Sequence, residues 1–311
     1  MTRYLFVVLL FCVQPLYAVT LVYNLRVRRT FSAPQVLEHL KKPRTIFSLV
    51  PIYFSRASHI TEERTMLDTC ETRRAGGSLL NMRYVPSKYW WLEVTTGIET
   101  DQAQYKGTDT FNASRSGFDD IVGSGGYRFF FGKHCQVVGY GLVGLPTTRK
   151  ITRCDRLGPL LGTRVYNLGF GFEGSYSFID EIKTSLSCIV QYRLIHGFNR
   201  DWFPILPEGS TIQPGNVSDV LLTIQYRKRR TLVEGGYNAT IFTNQAAIVP
   251  TLGKIKTDPF VRNGGYISIS HGWFKAFFDK PFICGVGCNF NHTKRFDAKT
   301  TIVWTYGAIV F

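Results

Sequence analysis

From Pro43 onward the chain is cut into strand-like segments rich in Val, Ile, Tyr, Phe and Thr, and the connections between them are sorted by length. Tight turns fall near Pro86-Ser87-Lys88, Gly132-Lys133, Asp180-Glu181, Lys228-Arg229 and Asp279-Lys280-Pro281, while long connections fall near 56–75, 102–117, 149–163, 196–216, 244–259 and 292–298. Short and long connections alternate, so every short turn lies on one side of the sheet and every long loop on the other. Six long and five short connections join twelve segments. An even count returns the chain to the side on which it began. A soluble sandwich has no reason to sort its loops in this way. A closed antiparallel transmembrane β-barrel does, with short turns inside the periplasm and long loops outside the cell. The expected fold is therefore all-β: a barrel of about twelve strands over residues 43–311.

Alternation within the segments assigns their faces. Tyr166, Leu168, Phe170, Phe172, Tyr176 and Phe178 share one face against Asn167, Gly169, Gly171, Glu173, Ser175 and Ser177. Leu186, Cys188, Val190, Tyr192 and Leu194 oppose Ser187, Gln191 and Arg193. Val220, Leu222, Ile224 and Tyr226 oppose Thr223, Gln225 and Arg227, and Val233, Tyr237 and Ile241 oppose Glu234, Asn238 and Thr240. Period 2 with one apolar face also fits a half-exposed soluble sheet. Here, however, Glu and Arg sit deep inside the strands on the polar face. In lipid every backbone polar group must be paired, which a closed barrel achieves and an open sheet does not. The apolar face is expected to meet lipid and the polar face to line a lumen.

The N-terminus reads as an address. Arg3 supplies a positive flank, Tyr4 to Val13 an apolar run and Ala18 a small residue for cleavage, which defines a signal peptide over 1–18 with bulky Leu16 at the −3 position. The run is too short for a helical span of about 20 residues, and no later segment supplies one. Phe11 before Cys12 does not suit lipoprotein processing. Between signal and barrel, 19–42 contains a capping box, Ser32-Ala33-Pro34-Gln35, that starts a short helix through Val36, Leu37 and Leu40 to Lys41 and Lys42. That segment is an ordered periplasmic tail or a plug entering the barrel. Six cysteines follow the signal, Cys70, Cys135, Cys154, Cys188, Cys284 and Cys288, and their spacing matches no zinc or redox motif. Cys284 and Cys288 share a strand face, and an oxidising compartment permits a disulfide between loop cysteines such as Cys70 and Cys154. No metal and no cofactor are expected.

The final segment, Lys299 to Phe311, ends on an aromatic. It resembles the C-terminal strand signature of outer-membrane proteins, which the barrel-assembly machinery reads, although Thr305 and Gly307 stand where larger apolar residues are usual. A second likeness lies between 118 and 171. Phe118-Asp-Asp-Ile-Val-Gly-Ser-Gly-Gly-Tyr-Arg-Phe129, Gly141-Leu-Val-Gly-Leu-Pro-Thr-Thr148, Leu161-Gly-Thr-Arg164 and Leu168-Gly-Phe-Gly171 form a strand–turn–strand–loop block. The block resembles the outer-membrane transporters for fatty acids and aromatic hydrocarbons, including those of phenol-degradation pathways. Thr148 replaces the family's Gly after Pro-Thr. The resemblance implies passive diffusion of small or hydrophobic solutes across the bacterial outer membrane.

The charged residues divide between the lumen and the loops. Arg83, Arg128 and Arg227 lie near short turns on the polar face and are expected to form a positive belt at the periplasmic mouth. Glu93 and Glu234 are expected diagonally across a hairpin from Arg83 and Arg227, with Glu173 and Arg193 further along the lumen. Arg149, Lys150, Arg153 and Arg156 crowd one long loop against a single Asp155, a composition suited to lipopolysaccharide phosphates, and Lys254, Lys256, Lys294, Arg295 and Lys299 recur in other loops. Expected partners are membrane lipid, lipopolysaccharide and the assembly machinery; nucleic acid is not expected. Catalysis is not expected either. The histidines are scattered, and Ser268-Ile269-Ser270-His271 has the wrong order and spacing for a hydroxyl nucleophile beside its base. Sequons at Asn112, Asn216, Asn238 and Asn291 read as chance matches, since Asn238 lies within a strand. A channel or porin-like transporter is the leading functional reading, against a structural or adhesive surface barrel.

Overall fold

Strands whose two faces differ this sharply are stable in lipid once both edges are paired, and the computed structural model shows that closure. It describes residues 44–62, 67–106, 111–118, 120–147, 166–181, 183–198, 200–201, 209–256, 258–277, 280–293 and 298–311. The expected signal peptide over 1–18, the 19–42 segment and the Arg149, Lys150, Arg153, Arg156 cluster lie outside these residues, as does Cys154.

The wall consists of β1 (Arg44–Glu62), β2 (Leu67–Val85), β3 (Trp90–Lys106), β4 (Phe111–Phe118), β5 (Ile121–Phe131), β6 (Cys135–Leu145), β7 (Asn167–Asp180), β8 (Thr184–Gly197), β11 (Gly215–Lys228), β12 (Thr231–Thr243), β15 (Phe260–Phe277), β16 (Lys280–Thr293) and β17 (Ala298–Val310). Within the connections between β8 and β15 lie β9 (Arg200–Asp201), β10 (Thr211–Gln213), β13 (Ala246–Val249) and β14 (Gly253–Lys256). β4 pairs with the upper half of β3 and β5 with its lower half, so β4 and β5 are two lengths of one strand. Antiparallel pairing runs round the wall from β1 to β17, and β17 pairs back onto β1, which closes a barrel of twelve strands. At the seam the backbone of Thr45 and Phe311 exchanges both hydrogen bonds, at 2.8 and 3.1 Å.

Four of the five short turns fall where the sequence places them, while Lys280 and Pro281 of the fifth already belong to β16. Gly132 has φ +70°, a left-handed conformation that glycine adopts without strain. Neighbouring turns are also stitched together: Arg128 N–H donates to the Tyr89 carbonyl at 2.6 Å, Ser177 N–H to that of His134 at 2.9 Å, and Arg229 N–H to that of Lys183 at 2.6 Å. The long connections differ from expectation. Residues 56–62 and 67–75 continue as paired strand, as do 102–106 and 111–117, so two of the loops are tall hairpins rising beyond the bilayer. Bilayer span needs only about 9–11 residues of strand, and β1 and β2 have 19 each. β10, β13 and β14, with β9, form a separate four-stranded sheet at the long-loop end, in which Ala246, Ala247 and Val249 are buried. Gly215 opens β11 at φ +73° with its missing Cβ facing the Thr243 carbonyl, so a side chain there would collide with backbone.

The exterior is apolar. Leu80, Leu92, Val94, Val190, Leu222, Ile224, Ile267, Ile269 and Val286 are exposed along the middle of the strands. Towards the short turns they give way to Tyr89, Trp90, Tyr127, Phe129, Phe130, Phe131, Tyr176, Phe178, Tyr226 and Trp273. Several of these rings touch, as Tyr127 with Phe129 at 4.9 Å and Tyr176 with Phe178 at 5.2 Å. A smaller group, Phe118, Tyr166 and Phe198, marks the long-loop end. An aliphatic band between aromatic girdles is the lipid-facing surface of an outer-membrane barrel. Cys284 and Cys288 alternate with the buried Ile283, Gly287 and Asn289 and therefore sit on the outer face; both are free thiols, as are Cys135 and Cys188.

The two ends make the orientation testable. With the natural cysteines replaced, a cysteine at Lys133 should resist membrane-impermeant reagents on intact cells while one at Thr251, between β13 and β14, reacts. The opposite labelling pattern would reverse the topology.

Candidate functional site: the barrel lumen

Inward positions carry the ionisable residues, and the register determines which of them meet. Arg83 on β2 stands directly opposite Glu93 on β3, not diagonally, and its Nε donates to Glu93 Oε2 at 2.6 Å, with Nη2 on the same oxygen. The guanidinium also lies 5.0 Å from the centre of the Trp91 ring, a cation–π contact. Arg227 and Glu234 do sit diagonally, since Arg227 faces Leu232 and Glu234 faces Gln225. Glu234, however, accepts from Gln225 Nε2 at 2.9 Å and from Ser268 Oγ at 2.8 Å. Arg128 and Glu173 are both buried on the inner wall and both occupy one hydrogen-bonded row, joined through Val138. Arg193 lies further toward the long loops, on β8, where it grips Asp219 of β11 through Nε at 3.0 Å and through Nη2.

Sequence reasoning missed Asp219, the partner of Arg193, as well as Arg262 and the asparagines Asn289 and Asn291. All four lie in step with polar inward residues of their own strands: Asp219 with Thr223 and Gln225, Arg262 with Ser268, and the two asparagines with Thr293. Face alternation alone would have found them. Arg262 lies over the Phe242 ring at 5.9 Å and donates to Thr240 Oγ1 at 3.4 Å.

A second pattern shapes the wall. Large inward side chains lie flat across a glycine of the next strand and touch a residue one strand further on. Tyr140 on β6 covers Gly171 on β7 and accepts from Gln191 Nε2 on β8 at 2.8 Å. Trp91 on β3 meets Tyr140 at 6.3 Å across Gly126 on β5, whose added Cβ would lie 2.8 Å from Tyr140 Cβ. From the other direction Tyr266 on β15 crosses Gly236 on β12 to reach Thr223 on β11, hydroxyl to hydroxyl at 2.5 Å. Trp304 on β17 covers Gly287 on β16, whose added Cβ would also meet Ser268 on β15, and Asn238 Nδ2 on β12 donates to Asn291 Oδ1 on β16 at 3.0 Å over Gly264. An alanine at Gly171, Gly236, Gly264 or Gly287 would collide with these groups.

Every one of these bonds joins strands that are neighbours or one strand apart. They hold the polar groups along the wall. Barrels of about eight strands are filled by their own side chains and those of about sixteen enclose a water channel, so a twelve-stranded wall with laterally tied side chains lies between the two. Toward the long loops the lining changes: Leu142, Ile195, Val217, Phe242 and Phe260 form an apolar cluster on β6, β8, β11, β12 and β15, with the Phe242 and Phe260 rings stacked at 4.5 Å.

No family model matches the chain, and no curated protein matches it. Solved structures do. An outer membrane channel from Pseudomonas putida F1 superimposes with a TM-score of 0.63 at 14% identity, covering 88% of this chain and 97% of the other. The transport unit of the autotransporter AIDA-I from Escherichia coli gives a TM-score of 0.50 at 6% identity, covering 91% and 97%. A mutant of the monoaromatic hydrocarbon channel TodX gives 0.46 at 11% identity, covering 90% and 93%. The first two are likenesses of fold, and the fold they share with this chain is the closed antiparallel β-barrel.

Proposed function

We propose that this protein is an outer-membrane channel that passes small solutes by passive diffusion, and not an enzyme. The observation that carries the reading is the lateral pairing of the lumen charges: Arg83 with Glu93 and Arg193 with Asp219 neutralise each other along the wall. Neutralised in place, these two pairs add no unpaired charge of their own, which in a narrow lumen would be costly. The fold shared with a solved outer membrane channel supports it. The apolar row of Leu142, Ile195, Val217, Phe242 and Phe260 favours hydrophobic solutes at the outer end. In this reading Arg83, Arg128 and Arg227 form a selective belt, with Glu93, Glu173, Arg193 and Glu234 as the remaining lumen lining. Arg149, Lys150, Arg153 and Arg156 are the residues suited to lipopolysaccharide phosphates, and Phe311 is the aromatic that the assembly machinery would read.

Planar-bilayer recording of the refolded protein tests this. Stable conductance steps are expected. Replacing Arg83, Arg128 and Arg227 by Gln leaves Glu93 and Glu234 on the wall, so ion selectivity should shift toward cations. Unchanged selectivity and conductance, with thermal stability lowered, would instead favour a structural barrel whose belt only fills the interior.

A further inference from the structure

Four of the five short turns carry a basic residue. Lys88 lies between β2 and β3, Lys133 between β5 and β6, Lys183 between β7 and β8, and Lys228, Arg229 and Arg230 between β11 and β12, while Lys280 opens β16 beside the remaining one. The first six are exposed, against two exposed acids on this rim among the described residues, Asp180 and Glu181. Among the described residues, Lys88, Lys133, Lys183, Lys228 and Arg229 make no ion pair. They are also held in position. The Arg229 N–H bond to the Lys183 carbonyl, at 2.6 Å, ties two turns together and sets Lys183 next to the Lys228–Arg230 cluster, and Arg230 accepts from Gly272 N–H at 3.0 Å.

These cations stand just beyond the aromatic girdle of Tyr89, Trp90, Tyr127, Phe130, Tyr176 and Tyr226. Lys88 Nζ lies 5.0 Å from the Tyr89 ring and 5.8 Å from that of Phe130, cation–π contacts at the short-turn rim. Aromatic girdles mark headgroup depth. A ring of cations directly outside one therefore lies at the level of the lipid phosphates.

We infer that the short-turn rim is a docking surface for anionic phospholipid headgroups of the periplasmic leaflet, each phosphate held by a turn cation with its acyl chains against the aromatic girdle below. The partner is set by three features together: an excess of positive charge, an aromatic surface at headgroup depth, and an apolar wall continuous with both. An acidic protein would satisfy the first alone. The surface is independent of whether the lumen conducts.

The full chain, refolded in micelles with equal phosphatidylglycerol and phosphatidylethanolamine, should retain the anionic lipid preferentially after detergent washing, as read by native mass spectrometry. Substituting Lys133→Gln, Lys183→Gln, Lys228→Gln and Arg229→Gln together should lower the retained ratio at least about fivefold, the change that one interfacial cation is worth. Charge-preserving changes at the same positions (Lys→Arg, Arg229→Lys) should keep it. Lys254→Gln with Lys256→Gln, on β14 at the opposite end, should leave it unchanged. An unaltered ratio in the rim variant, or an equal loss in the β14 variant, overturns the proposal. Should the rim variant fail to fold, the wild-type chain decides: its preference must vanish at high ionic strength, and a preference that persists there also overturns the proposal.

Discussion

Substituting Asp219 by Ala should lower barrel stability by about 3–5 kcal/mol, the cost of stripping one partner from a buried ion pair. Arg193 is 2% exposed and Asp219 4%, and the guanidinium approaches one carboxylate oxygen through two nitrogens. Removing the carboxylate leaves a cation with little water and no counter-charge from β11. Replacing both residues with apolar ones of similar size, as Arg193→Met with Asp219→Leu, should restore most of the loss, because desolvation of the two charges is then removed along with their attraction. Urea unfolding followed by the gel shift of folded against unfolded barrel measures both. A loss below about 1 kcal/mol for the single variant is the value of a solvated pair. That result would mean water reaches this level of the lumen freely.

On the outer wall the largest effect is expected at Ile224, 62% exposed in the middle of β11. Ile224→Arg should cost about 2–4 kcal/mol, the range for a charge at the bilayer midplane, whereas Tyr226→Arg, two residues nearer the headgroups, should cost distinctly less. The same gel-shift titration in lipid vesicles compares them. Equal costs at 224 and 226 would deny the depth gradient, and a negligible cost at both would mean that this face does not meet lipid.

The parity of each strand was legible because lipid and lumen impose opposite chemistry on alternate residues. Leu222, Ile224 and Tyr226 are exposed while Thr223 and Gln225 are buried, as alternation requires. Register was less legible. Whether Glu93 faces Arg83 directly or diagonally depends on a two-residue shift of register at the turn from Pro86 to Tyr89, and pairing shows it to be direct. The tall hairpins at 56–75 and 102–117 read as loops because strands above the bilayer are free of the apolar alternation that signals a span. Polar segments such as Thr72-Arg73-Arg74 are paired strand all the same. The four-stranded accessory sheet was hidden for a related reason: its strands, of two to four residues, are too short to show a period. Asp219 lies in step with the lumen residues Thr223 and Gln225, one residue before Val220, where the alternation read from the sequence begins.

The side chains that lie across glycines have a bearing on strand number. Each tie joins the inner surfaces of strands two apart, as Thr223 to Tyr266 and Asn238 to Asn291. On a curved wall inward side chains converge, and the distance between their tips shrinks as the radius shrinks. A tie that closes at hydrogen-bond length therefore fits one curvature. Inserting another hairpin would flatten the wall and draw every such pair apart, while removing one would drive Tyr140 into Gly171 and Trp304 into Gly287. The circumference that the hairpin count allows is thus also gauged from within, by the lengths of tyrosine, tryptophan and asparagine.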